Sequence, residues 1–481
     1  MNGRLVLYMI GRVMQVESVL MLLPFITGLI YKEGDAFCFL IVAICEFLVG
    51  FLLSIKKADS NSFHAREGFV TVALSWIVMS LIGSIPFIIA NEITSPVDAI
   101  FETVSGFTTT GASILTDIEA MSKCCLFWRS FANWVGGMGI LVFVMSLMPL
   151  MGAQNMYMMK AESTGPSVGK LVPKVKSTAA GLYKIYCTMS FVLFLLLLIG
   201  RMDPFSALMA TFATAGTGGF GILNTSCATF TTYQQVVITV FMILFGVNFS
   251  VYFLIITKKF RAAFKCEEMR WYFAIIFAAI ALICFDLIAS GNMIGSFGDT
   301  LNHVSFTVGS IITTTGFSTV DFNQWTEFSK NILVILMFVG ACAGSTGGGL
   351  KVSRMVICIK SVSKMIGQSL HPKSVKIIRF EDKPVEHETV RSINNYILAF
   401  IGFFVISMMI ISLDNYSFTT NFTAITATIN NIGPGLNEVG PTGNFADFSD
   451  LSKIVMSLDM IIGRLEVYPI LILLAPSTYK K

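Results

Sequence analysis

Four apolar segments of this chain, near residues 96–108, 204–216, 298–313 and 418–430, are too short to cross a bilayer, yet each lies between runs long enough to do so. About 12 helical residues cover roughly 18 Å, well short of a ~30 Å hydrocarbon core. Such a segment must turn back, and non-helical backbone at that depth survives only inside protein or beside water. Each segment ends in a glycine stretch: Thr108-Thr109-Thr110-Gly111, Thr217-Gly218-Gly219-Phe220, Thr313-Thr314-Thr315-Gly316-Phe317 and Asn431-Ile432-Gly433-Pro434-Gly435. The glycines at 111, 219, 316 and 433 are 108, 97 and 117 residues apart. A backbone-rich element repeated four times between spans points to a fourfold pore.

The spans themselves set the class. The chain is 54% hydrophobic and 13% charged, with mean hydropathy +0.75, whereas soluble domains carry about 25% charged residues. Runs near 5–30, 36–55, 69–91, 126–150, 181–200, 233–257, 271–290, 330–358, 393–413 and 452–475 predict ten transmembrane helices. The first lacks a small-residue cleavage pattern and is expected to be retained. Ten cysteines and four histidines show no metal-ligand spacing. No paired acids or nucleophile–base set converge, so an enzyme is not expected. No phosphate-binding fingerprint stands in a strand–helix context, so nucleotide sensing would need a partner.

Charge sets the topology. With a cytoplasmic N-terminus and segments re-entering from outside, 26 Lys and Arg fall inside, six outside and one, Arg464, within a span. That asymmetry is what the positive-inside rule demands. Both termini are then cytoplasmic, and the four units are parallel. The expected divisions are 1–60 for two extra N-terminal helices, 61–165 for unit one, 166–265 for unit two, 266–385 for unit three and 386–481 for unit four. The link 359–391 holds Lys360, Lys364, Lys373, Lys376, Arg379, Lys383 and Arg391. It reads equally as topogenic charge or as a cytoplasmic partner surface.

A dehydrated monovalent cation needs oxygens in place of its water shell, and aligned backbone carbonyls supply them. Glycine tolerates the backbone angles this requires. The C-terminal, negative end of each short helix would favour a cation at the axis. Close helix packing is the alternative use of Gly and Thr, but it does not account for four copies in register. The second copy allows two registers, on Gly216 or Gly219; Gly219 is preferred because Gly219-Phe220-Gly221 parallels Gly316-Phe317-Ser318.

These stretches, with Gly463-Arg464-Leu465-Glu466, resemble the superfamily of potassium transporters that includes the Trk, Ktr and HKT proteins, and most of all its TrkH-type membrane subunits. The resemblance covers the whole chain. It implies an all-α integral membrane fold of four membrane–pore–membrane repeats with re-entrant pore half-helices. It implies a selectivity filter at Thr109, Thr110, Gly111, Thr217, Gly218, Gly219, Thr314, Thr315, Gly316, Asn431, Ile432 and Gly433. Within it, K⁺ would sit at Thr110, Gly111, Gly218, Gly219, Thr315, Gly316, Ile432 and Gly433. In the family a Ser at the first filter glycine goes with sodium preference, so Gly111 argues for potassium. Asn431, where the other copies have Thr, and Asn437 depart from the family pattern.

Two further features bear on gating. Residues 340–350 hold five glycines in eleven positions and interrupt the last span of unit three; glycine weakens a helix by about 1 kcal/mol each. The stretch, with Gly344, Gly347, Gly348, Gly349 and Lys351, resembles the family's intramembrane gate loop. Arg464 is an intramembrane charge and so a functional candidate. The family's matching arginine is an electrostatic barrier; pairing with Glu466 or Asp459, or reaching back to the cytoplasm, is the structural alternative. Trp128, Trp134 and Trp271 fit interface anchors, and residues 136–139 fit close helix packing. The implied function is potassium uptake across the plasma (inner) membrane with no cofactor. The implied partners are a second copy of the chain, a cytoplasmic TrkA-like nucleotide-binding regulatory subunit and the lipid bilayer, with no nucleic acid. The rival is an ion-coupled (H⁺ or Na⁺) symporter with alternating access, which the broken span near 345 keeps open.

Overall fold

A computed structural model describes residues 2–55, 65–139, 175–373 and 376–479. Within them nearly all regular structure is helical, with one two-stranded antiparallel hairpin pairing Arg379–Phe380 (β1) with Lys383–Pro384 (β2). Helices α1 (Gly3–Leu20) and α2 (Leu22–Tyr31) run on as one span, and α3 (Ala36–Ser54) packs back on them. Gly11 and Gly50 let α1 and α3 cross closely; a Cβ on Gly11 would lie 2.6 Å from the Gly50 carbonyl.

After these, one element order recurs four times: a long helix, a short helix, a glycine stretch, and a further helix. Unit one is α4 (Ala65–Ile89), α5 (Pro96–Phe107) and α6 (Lys123–Gly137). Unit two is α7 (Val175–Ile199), α8 (Pro204–Ala215), α9 (Thr232–Phe245) and α10 (Phe249–Ile256), followed by the short α11 (Phe260–Lys265). Unit three is α12 (Glu267–Ala289), α13 (Phe297–Ile312), α14 (Glu327–Val339) and α15 (Val352–Leu370). Unit four is α16 (His387–Ile411), α17 (Phe418–Ile429), α18 (Asp450–Leu465) and α19 (Tyr468–Leu474).

The short helices begin where local chemistry starts them. Ser95 and Asp203 cap α5 and α8 just ahead of Pro96 and Pro204. Ser296 forms a capping box with Asp299, and Ser417 caps α17 through Thr420 N. Each cap meets a backbone N–H of the first turn that the helix cannot itself satisfy.

Among the described residues, six helices are long and apolar enough to span a membrane, and α9 with α10 makes a seventh if that bent pair is counted. Their outer faces are apolar: Phe277, Phe285 and Leu398 are 67%, 72% and 71% exposed. Buried polar groups line the interior instead, among them Thr109, Thr217, Thr314 and Asn431. This inverts the soluble pattern and is that of a multi-pass membrane protein.

Several expected spans are broken. The run 233–257 is not one helix: α9 and α10 meet at 91° across Gly246–Asn248. Gly246 there leaves room for the Tyr272 hydroxyl, and the Asn248 side chain caps α10 through Ser250 N. The run 330–358 stops at Val339 and resumes at Val352, as five glycines predict. The last run breaks between α18 and α19, with Glu466 and Val467 both at positive φ. The end of the expected span 126–150 lies outside the described residues. Trp128 and Trp134 are not interface anchors: Trp128 is 1% exposed and donates to the Gly83 carbonyl, and Trp134 stacks between Phe131 and Tyr186.

Candidate functional site

The four short helices end in one and the same way. At the end of α5, Thr110 N donates to the Ser105 carbonyl and Thr109 N to that of Gly106. The pattern repeats with Gly218 to Ala213 and Thr217 to Thr214, Thr315 to Ser310 and Thr314 to Ile311, and Ile432 to Ala427 and Asn431 to Thr428. This is a Schellman cap, whose left-handed residue is usually glycine. Here Thr109, Thr217, Thr314 and Asn431 take that conformation, with φ of 56°, 51°, 58° and 56°. A non-glycine residue there stores about 1–3 kcal/mol of strain and persists only where its surroundings impose it. Two residues on, Gly111, Gly219, Gly316 and Gly433 are left-handed again, with φ of 79°, 67°, 84° and 98°. The second register is thereby resolved: Gly219 is the counterpart of the other three, and Gly216 is a right-handed helix cap.

The stretches close into a ring. A Cβ on Gly111 would lie 2.2 Å from the Gly218 carbonyl oxygen, and one on Gly219 would lie 1.9 Å from that of Thr315. One on Gly316 would lie 2.1 Å from the Ile432 oxygen, and one on Gly433 would lie 2.8 Å from the Thr110 oxygen. Each glycine thus faces the carbonyl of the next copy, and the fourth returns to the first. Among the described residues, no hydrogen bond is donated to the carbonyls of residues 109–111, 217–219, 314–316 or 431–433. Buried carbonyls are normally paired, so a ring of unpaired ones is a concentration of negative dipole aimed at whatever occupies it.

A second circle of bonds fastens the loops that follow. Asn224 accepts from Ile118 N (2.7 Å) and donates to Asp117 (2.8 Å), joining the first loop to the second. That amide holds the exposed Asp117 carboxyl below its usual range. Cys227 N donates to the Ser318 carbonyl, Asn437 N donates to Asn323 Oδ1 (3.0 Å), and Phe445 N donates to the Ser113 carbonyl. The two departures are part of this closure. Asn437 is the clip to the third loop, and Asn431 Nδ2 donates to Thr110 Oγ1 (2.9 Å) and to the Met460 carbonyl (2.8 Å).

The glycine loop 340–351 lies against the ends of three short helices. Gly348 N donates to Thr314 Oγ1 (2.6 Å), Gly349 N to the Asn430 carbonyl (3.1 Å), and Thr217 Oγ1 to Thr346 Oγ1 (3.2 Å). Gly347 nests against the Thr313 carbonyl, where a Cβ would approach to 2.8 Å. Gly344 accepts from Phe249 N, so the bent pair of unit two supports the loop. Lys351, buried, folds its amine back onto the carbonyls of Gly347 and Gly348. Arg464 donates to the Thr346 carbonyl (2.8 Å) and to those of Gly136 (2.5 Å) and Gly137 (2.8 Å). It ties the loop to α6. Glu466 is held by Arg354, and Asp459 accepts from Ser407 (2.8 Å). Gly136 and Gly137 are indeed sites of close packing, against the Phe107 carbonyl and Gly216.

Two ion pairs and one carboxylate whose partners sequence reasoning did not foresee hold these parts in place. Glu102, inside α5, pairs with Arg129 at 2.5 Å; both side chains are almost fully buried. Glu102 also accepts from Ser113 Oγ and Ile114 N, and Arg129 donates to the Gly221 carbonyl (2.7 Å), so the pair bridges the first and second stretches. Lys453 pairs with Asp98 at 2.6 Å across units four and one. Glu268 Oε1 accepts from Ala343 N (2.7 Å) and Ser353 N (3.2 Å), clasping both ends of the glycine loop. The usable signal was a carboxylate such as Glu102 within an apolar helix, which demands a partner.

The fold and the ring define a class: a helical, multi-pass membrane protein with four like units arranged about a common centre. A sequence profile of the TrkH family, described as cation transport protein, matches residues 36–480. The Trk system potassium uptake protein TrkH of Vibrio parahaemolyticus is 32% identical over 490 residues, covering 100% of both chains. That of Escherichia coli is 30% identical over 486 residues, again covering 100% of both. Escherichia coli TrkG is 30% identical, covering 98% of this chain and 97% of that one. The crystal structure of the potassium transporter TrkH from Vibrio parahaemolyticus superposes with a TM-score of 0.89 at 29% identity, covering 100% of both. The chain belongs to the TrkH family, a family of transport proteins rather than enzymes.

Proposed function

We propose that the chain is the potassium-translocating membrane subunit of an uptake system in the plasma (inner) membrane. K⁺ enters from outside and sheds its water at the ring formed by Gly111, Gly219, Gly316 and Gly433. The carbonyls of Thr110, Gly111, Gly218, Gly219, Thr315, Gly316, Ile432 and Gly433 replace the hydration shell. The flanking Thr109, Thr217, Thr314 and Asn431 fix the backbone in the required conformation. The observation that carries this reading is the closed ring of left-handed glycines with carbonyls that accept no hydrogen bond among the described residues. Cation coordination is the use such a ring has in a membrane interior. The four short helices act as re-entrant half-helices among ten spans, and both termini are cytoplasmic.

The loop 340–350 is the gate, lying against the inner ends of the short helices. Gly347, Gly348 and Gly349 close on the axis, and Lys351 and Arg464 hold them there and oppose a cation electrostatically. Gly344 is the hinge against α10. The working form, as likeness to the TrkH family suggests, is a homodimer with a cytoplasmic TrkA-like nucleotide-binding subunit.

The test is ion flux in liposomes containing the purified protein, comparing K⁺, Rb⁺, Na⁺ and Li⁺. K⁺ and Rb⁺ should pass in preference to Na⁺ and Li⁺, with current reversing at the potassium equilibrium potential. Flux without discrimination, or reversal displaced by a proton or sodium gradient, would overturn the reading.

A further inference from the structure

The basic link between units three and four plays no part in the ring or the loop contacts above. It folds into the last turns of α15 and the β1–β2 hairpin, and these flank a shallow, open cleft of about 350 Å³. Lys360, Lys364, Lys376 and Arg379 line it, together with Ser363. Lys360 is partly spoken for: it pairs with Glu267 and donates to the Arg379 carbonyl (2.8 Å). Among the described residues, Lys364, Lys376 and Arg379 have no carboxylate partner. Lys376 lays its amine across Gly367, where a Cβ would stand 2.4 Å away, so the absence of a side chain there lets this cation reach α15. Cations gathered in one concavity repel each other and raise the local concentration of anions. Flexible ammonium groups beside a guanidinium and a hydroxyl suit phosphate oxygens.

We propose that this cleft binds a phosphate-bearing anion, presented by a bilayer headgroup or free in solution. The neighbouring face of α15 shows where a bilayer would meet it: Ile359, Val362, Met365 and Ile366 are 58%, 56%, 64% and 57% exposed. Basic clefts at that level of a membrane protein are suited to anionic headgroups. The site also has a mechanical path to the glycine loop. One wall, α15, begins where the loop ends, at Val352. The other carries Glu381, which accepts from Glu268 N (3.0 Å), and the Glu268 side chain clasps both loop ends. An anion gripping both walls therefore stiffens the frame that holds the loop. Binding stands apart from the proposed gate; only the effect on flux rests on that reading.

The experiment uses the full chain in detergent, titrated with short-chain phosphatidylglycerol, with phosphatidylcholine, and with inorganic pyrophosphate, read by native mass spectrometry and calorimetry. Phosphatidylglycerol should bind in preference to phosphatidylcholine, and Lys364→Gln with Lys376→Gln should weaken it about tenfold or more. Lys364→Arg with Lys376→Arg should retain it. Pyrophosphate binding that is lost in the same Gln variant, without phosphatidylglycerol binding, supports the site and assigns the soluble source. Equal affinity in wild type and Gln variant for every probe, or loss of binding in the Arg variant, overturns the site. Binding that leaves Rb⁺ flux in liposomes unchanged overturns the coupling to the loop.

Discussion

Consider a Ser placed at Gly111. The backbone there has φ of 79°, which disfavours any residue with a Cβ by about 1–2 kcal/mol. The added atom would stand 2.2 Å from the Gly218 carbonyl oxygen. An ordinary contact needs more than 3 Å, so one of the two stretches must yield by about 1 Å, or both by about half that. The carbonyl that moves is one of those proposed to coordinate the ion. A loss of about 1.4 kcal/mol in ion discrimination is a tenfold change in selectivity. Gly111→Ser should therefore lower K⁺ over Na⁺ preference about tenfold, measured as Rb⁺ uptake into liposomes in competition with Na⁺. Gly221→Ser is the matched control. It lies two residues beyond the counterpart glycine, has no left-handed φ, and its Cβ would meet nothing nearer than 3.8 Å. Its selectivity should stay as in wild type. Unchanged selectivity in Gly111→Ser, or an equal shift in both variants, would refute the argument from carbonyl displacement.

Other outcomes follow from the contacts around the ring. Arg464→Ala removes the guanidinium that bonds the Thr346, Gly136 and Gly137 carbonyls; basal Rb⁺ flux should rise several-fold, as it should on deletion of Gly347 to Gly349, and unaltered flux in folded protein would count against a barrier. Glu268→Ala leaves Ala343 N and Ser353 N without their acceptor, at about 1–3 kcal/mol for each buried group; closed-state flux should increase while ion preference stays the same, which the same liposomes measure. Glu102→Leu or Arg129→Met alone strands a buried charge, at about 3–5 kcal/mol, whereas the double replacement should be much milder. Thermal unfolding of the four proteins in detergent tests this, and additive losses would mean that the pair is not a unit.

Much of the scaffold was legible because its signals are local. Ser95-Pro96 and Asp203-Pro204 mark helix starts by capping chemistry that needs no knowledge of the fold. Five glycines in a span announce an unwound loop by the same logic. What escaped depends on partners distant in sequence. The register of the second stretch was half legible: the Gly219-Phe220-Gly221 parallel favoured Gly219, and contact with Thr315 and a shared cap decide it over Gly216. Gly246 alone in an apolar run looks tolerable; the 91° bend follows from what packs into its open side, the Tyr272 hydroxyl. The break after Leu465 has a local cue in Pro469, which opens α19, but nothing local announces the positive φ of 64° at the β-branched Val467. It coincides with the Arg354–Glu466 pair, made between units three and four. Nothing in the sequence neighbours of Arg129 named Glu102 as its partner.

The ring has a seam, and the seam has a date in the life of each molecule. A chain is made from its N-terminus onward, so the first three stretches exist before the fourth is translated. The bond that closes the circle, from Asn431 to Thr110, joins residues 321 positions apart. Until it forms, the edges carrying Gly111 and Gly316 must wait in the bilayer with polar backbone uncovered, a state that invites mispairing or capture by an assembly factor. Biogenesis, more than finished-state stability, is thus the stage at which Asn431 and the fourth quadrant bear the heaviest demand.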